Sequence, residues 1–178
     1  MTQSDADVTA RPTLPPCLIL DEIDVARMVA QHATLRALCT TLERCADGLP
    51  ARDAVIAAVT VSAALAECLR HHEVVENAIL SNLFESDPAL PVNSLLGRIR
   101  HRHAVDHLHA EDLRDALGAA AQLVGPLESD ALSYMMRCLF DGCRRGIDFQ
   151  EAAILMLAHD RLTRTARATL SASLNGAA

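Results

Sequence analysis

The chain has 178 residues, a formal net charge of −7, 51% hydrophobic residues and only 2% aromatic ones. Its sixteen basic residues are all arginine and form no basic run, so there is no electrostatic footprint for nucleic acid. Seven Gly and seven Pro supply few turns for a β-rich fold, and the Ala- and Leu-rich balance favours helices in a single domain.

Residues 1–20 are polar and acidic, carry Pro12, Pro15 and Pro16, and lack an apolar signal core, which predicts a disordered leader and no secretion signal. A first helix is expected over 21–47, opened by Asp21 and closed by Gly48, Leu49 and Pro50. A second follows over 51–86, with Asp53 near its start; its longest uncharged stretch, roughly 54–66, is too short to span a bilayer. Asp87 through Asn93 break the chain, Ser94 opens a third helix over 94–124, and Gly125-Pro126 breaks it again. The fourth is expected over 127–170, with Ser129 at its start and a kink or break at Gly142 and Gly146. Residues 171–178 then read as a flexible tail. Short connections between long helices imply an all-α, up-down antiparallel four-helix bundle over 21–170. The expected setting is soluble and cytoplasmic, without a membrane.

The cysteines fit that setting. Cys17, Cys39, Cys45, Cys68, Cys138 and Cys143 show no C-x-x-C pair and no disulfide-framework spacing, and most lie among Leu and Ala, where free Cys packs as a small hydrophobe.

Polar residues interrupt the apolar stripes in a pattern. Helix 1 gives Met28, His32, Leu35, Leu42; helix 2 gives Leu65, Leu69, His72, Glu76, Ile79. Helix 3 gives Leu96, Ile99, His103, His107, Ala110, and helix 4 gives Ile147, Glu151, Ile154. Steps of three and four put each of these His and Glu residues on the inward side. A lone buried imidazole is ordinary; a buried carboxylate costs several kcal/mol unless compensated. A shift of 75 residues superposes His32 on His107, Leu38 on Leu113, and Glu76-Asn77-Ala78-Ile79-Leu80 on Glu151-Ala152-Ala153-Ile154-Leu155, so two helix pairs share one plan. In antiparallel helices, His72 and Glu76 meet His103 and His107 at one height. Converging carboxylates and neutral imidazoles suit a pair of divalent metals with a position left for a small ligand. Thiolates are absent from the set, against structural zinc. His71, His101, His109, Glu73, Glu111 and the His159-Asp160 pair are expected to face solvent, with Glu111 one turn beyond His107.

His32, the H-x-x-x-E of His72 and Glu76, a helix 3 His, and Glu151 before an apolar run resemble the hemerythrin-like HHE cation-binding family over about residues 21–165. The resemblance implies a non-heme di-iron centre, oxo- or hydroxo-bridged, with Glu76 and Glu151 as bridges, although another divalent metal would suit the same donors. It implies a bacterial cytoplasmic protein that binds or senses O2, NO or peroxide rather than catalysing a reaction. The implied ligands are His32, His72, Glu76, His103, His107 and Glu151. One position departs from the pattern: four residues before Glu151, where the family carries a helix 4 His, stands Ile147. The H-x-x-x-H of His103 and His107 is the expected compensation. The competing expectation is a degenerate bundle with a partial or empty site, serving a regulatory protein partner or pairing as a homodimer. Ferritin-like Glu-x-x-His pairs are absent, and the lack of Lys argues against a phosphotransfer bundle.

Overall fold

The computed structural model describes residues 22–84, 92–122 and 128–176. Among them are five α-helices and no strand: α1 (Glu22–Asp47), α2 (Arg52–Phe84), α3 (Val92–Ala121), α4 (Ser129–Leu157) and α5 (Arg164–Gly176), with a 3-10 turn at His159–Arg161. The leader, Cys17 and the breakers Asp87–Pro88 and Gly125–Pro126 lie outside the described residues.

Packing places α1 against α2 and α4, and α3 against α2 and α4. Cross-helix pairs fix direction. Asp47 pairs with Arg137, Glu43 with Arg144, Arg36 with Asp148 and His32 with Glu151, so partners climb α4 as they descend α1. Likewise Glu73 meets His107, Glu76 meets His103, and Ser81 meets Arg100 between α2 and α3. Both helix pairs are antiparallel. By length and composition alone, Arg52–Ser81 of α2 could cross a membrane, yet its buried residues Ala58, Leu65, Leu69 and Ile79 belong to the protein's own core.

That core is two apolar clusters. One gathers Leu35, Cys39, Leu42, Leu65, Leu69, Leu113, Leu117, Met136, Phe140, Cys143 and Ile147. The other gathers Val25, Met28, Ile79, Leu80, Leu96, Ile99, Ile154, Leu162 and Leu170. On each of the four long helices the stripe passes from one cluster to the other through polar side chains: His32, His72 with Glu76, His103 with Asp106, and Gln150 with Glu151, all buried. The five described cysteines are free, and Cys39, Cys45 and Cys143 are buried in the first cluster.

The expected fourth helix divides differently. It runs unbroken through Gly142 and Gly146 and ends at Leu157. The chain then turns, and the Thr163 hydroxyl accepts a hydrogen bond from the Ala166 amide at 3.1 Å, capping a separate α5. This helix buries Ala166 and Leu170, packs on α1 and α4, and takes in residues 171–176 that read as tail. The start of α4 also differs in detail, since Glu128 holds its capping position without a side-chain cap bond.

The two glycines leave a bare stretch that a side chain of α3 fills. A Cβ on Gly142 would overlap the Arg102 guanidinium and come within 3.3 Å of Asp106 Oδ1, and one on Gly146 would touch the Arg102 stem at 3.6 Å. Arg102 lies across this bare stretch of α4 and its Nε donates to the buried Asp106 Oδ2 at 3.1 Å. Gly142→Ala should therefore displace the Nη2 end of the guanidinium and weaken its pairing with the buried Asp106 carboxylate. We expect a loss of about 1–3 kcal/mol in urea unfolding. An unchanged transition midpoint would show that Asp106 does not need the pair.

Candidate metal centre

The polar layer is built by one rule. At each crossing an i, i+3 or i, i+4 step carries a His, Glu or Gln where the neighbouring turns carry Leu, Ile or Met. One donor atom from each of His32, His72 and Glu76 lies within 4.8 Å of the other two, and all three residues are buried. Glu76 Oε2 is 2.8 Å from His103 Nε2 and 3.2 Å from His72 Nε2. The His32 and His72 rings are 4.7 Å apart and those of His72 and His103 5.8 Å, both edge-on.

These contacts are close but unbonded. Neither Glu76 oxygen and neither His72 nitrogen makes a hydrogen bond, and His32 Nε2 and His103 Nδ1 are also without one. Glu76 is 0% exposed. A buried carboxylate left so costs several kcal/mol. Neighbouring donors around one ion bound at about 2.1 Å stand roughly 3 Å apart, which is the spacing Glu76 keeps from both imidazoles. The residues present fit a metal ion.

Electrostatics agree. Burial alone would push the Glu76 pKa up, but the attraction of the adjacent His103 and His72 imidazoles outweighs it and holds the carboxyl at about 2. A cation bound between these groups would add to the same attraction. Burial lowers the pKa of His32 against the opposing pull of Glu151, which keeps the ring neutral and ligand-competent. The His32 Nδ1–H donates to Glu151 Oε1 at 2.7 Å. A carboxylate can only accept, so the free lone pair of His32 sits on Nε2. Gln150 donates its side-chain amide to His103 Nε2 at 2.8 Å.

The profile of the hemerythrin HHE cation-binding domain matches residues 24–158. The chain belongs to that family. No curated protein and no solved structure matches it.

Within this hemerythrin-like domain the six expected ligands separate. His32, His72 and Glu76 converge, and His103 reaches Glu76 from α3. Glu151 is next to them but is engaged elsewhere: besides His32 it accepts from Arg36 Nη1 at 3.2 Å and from the Ser173 hydroxyl at 2.9 Å on Oε1, and from Arg36 Nη2 at 3.3 Å on Oε2. His107 stands apart and half-buried, its Nε2 2.8 Å from Glu73 Oε2. The α3 stripe explains this, because beyond His103 the buried positions are Asp106 and Ala110, leaving 107 turned toward α2. Glu73 is thus its partner and not a free surface acid. Glu111, His71 and His101 are exposed as expected, and His109 is half-buried with an unbonded Nδ1.

Sequence reasoning missed Arg36, Asp106, Gln150 and Ser173. Arg36 was readable, lying one turn after His32 on the same face, and its Nη2 also donates to Asp148 Oδ1 at 2.7 Å. Ile147 is buried and, with Leu35, Leu69, Cys143 and Gly146, lines a small cavity that His72, His103, Asp106 and Gln150 border.

Proposed function

We propose that this member of the hemerythrin family is a non-heme metal protein, with iron as its resident metal, that binds or senses dioxygen or nitric oxide. The observation that carries this reading is the buried group of His72, Glu76 and His32 with its unbonded donor atoms, and with His103 2.8 Å from Glu76. The scaffold is read as an up-down antiparallel four-helix bundle of α1–α4 with α5 laid against α1 and α4, working in the cytoplasm. His32, His72, Glu76 and His103 would hold the metal, and His107 falls outside the set.

Iron held by these residues would supply the electrons for binding a diatomic ligand. The chain supplies the rest. Glu76 brings the charge that binds the cation, and His32 is fixed in its tautomer by Glu151. Leu35, Leu69 and Ile147 keep the adjoining cavity largely apolar, which suits a small uncharged ligand. Asp106, bonded to Arg102, and the Gln150 amide are the polar groups beside it.

Ile147 favours a second reading, a bundle that has kept its form and lost its metal in favour of a regulatory partner or a second copy of itself. Elemental analysis after anaerobic loading with iron(II), paired with thermal melts, separates the two. Metal at 100 times its Kd adds about 2.7 kcal/mol. Removing it with a chelator should therefore lower Tm by about 5–10 °C for a chain of this size. A melt indifferent to chelator, with no iron retained, would favour the empty bundle.

A further inference from the structure

From the partners of Glu151 and the side chain at 147 we infer that this centre holds one metal ion and that the Arg36 guanidinium takes the place of a second. The inference rests on the metal-binding reading above and concerns how many ions the site accepts.

Three donors face one point, Glu76, His72 and the Nε2 of His32, with His103 beside Glu76. A second ion would need donors on the α1–α4 side, and the structure closes both of them. Ile147 is buried against the first apolar cluster beside His72 and His103, and it has no donor atom. Glu151 is the remaining carboxylate, but its Oε1 already accepts from His32, Arg36 and Ser173, and its Oε2 from Arg36. Arg36 is itself held by Asp148 at 2.7 Å and donates to Ser173 at 3.1 Å, so α1, α4 and α5 together fix the guanidinium on this carboxylate.

Charge points the same way. A divalent ion placed against Glu151 would lie beside a guanidinium that never loses its proton, in a buried layer where like charges are poorly screened. With one ion, Glu76 binds the cation directly and Glu151 is matched by Arg36. Glu151 then acts as a positioning residue, a carboxylate that takes the His32 Nδ1 proton so that Nε2 presents its lone pair to the metal.

Anaerobic titration of the whole chain with cobalt(II), read by visible absorption and X-ray absorption, tests this. The expected result is saturation at one equivalent, with no metal–metal scattering near the roughly 3.5–4 Å typical of paired ions. Glu151→Gln keeps an acceptor for His32 and should also saturate at one equivalent, with affinity lowered about 10- to 100-fold and a shifted cobalt spectrum. Saturation at two equivalents with a metal–metal distance would overturn the single-ion inference and leave the metal-binding reading standing. No cobalt bound to the parent chain would overturn both. Folded Glu151→Gln that binds none would make Glu151 a direct ligand and also overturn the inference. Should that variant fail to fold, the stoichiometry and scattering of the parent decide alone.

Discussion

Replacing Glu76 with glutamine should weaken metal binding by more than about 100-fold, beyond the range expected for a group acting through another ligand. The metal-free fold should at the same time change much less in stability. The two effects part because of what Glu76 lacks. Its carboxylate is fully buried, and both oxygens are without a hydrogen bond although His103 and His72 stand close. Burying the charge there opposes folding and the adjacent imidazoles outweigh that cost, so a neutral amide of the same shape gives up both together while losing the charge that holds a cation. Iron(II) affinity and urea unfolding in chelator are the two measurements. If the variant kept its affinity and lost several kcal/mol of stability, Glu76 would be a structural residue and the metal reading would fail.

Much of this centre was legible because helical periodicity is a local property. His32, His72, Glu76 and His103 each replace an apolar residue on a three-four stripe, and burial follows from the stripe whatever the neighbouring helices do. Ile147 was legible by the same rule, through the 75-residue repeat that sets it opposite His72. The pairing of side chains across helices was not. His107 is one turn from His103 and shares its side of α3, yet a turn of four residues overshoots a full circle by about 40° and delivers it to Glu73. Arg36 follows His32 at the same spacing, and there the same drift carries a cation to Glu151. Only the placement of α4 decides which of these matters.

The C-terminal part was misjudged for a different reason. Leu162, Ala166 and Leu170 continue a helical spacing that reads as the end of one long helix, and Thr163 looks like an ordinary member of it. Its hydroxyl instead starts a new helix by accepting the Ala166 amide. Gly142 and Gly146 suggested a break because helix propensity counts the missing side chain as a loss. What propensity omits is the Arg102 side chain of another helix that fills the space.

Glu151→Ala should cost the metal-free protein about 3 kcal/mol, near the lower end of what breaking a buried ion pair costs, because Arg36 keeps some access to water. The substitution removes the acceptor of three donors: the His32 Nδ1–H and the Ser173 hydroxyl lose theirs outright, and the Arg36 guanidinium keeps only Asp148 and Ser173. Since those donors come from α1 and α5, the loss should be felt in how α5 docks. Hydrogen exchange of the amides of residues 164–176 should quicken more than that of α2 or α3. Adding Arg36→Met to Glu151→Ala should recover part of the stability, because the guanidinium that faced Glu151 is then gone, and a double-mutant cycle gives the coupling directly. Additive losses in that cycle, with α5 exchange unchanged, would mean that the guanidinium and the carboxylate are neighbours without being partners. Arg36 would then be free to yield Glu151 to a second ion.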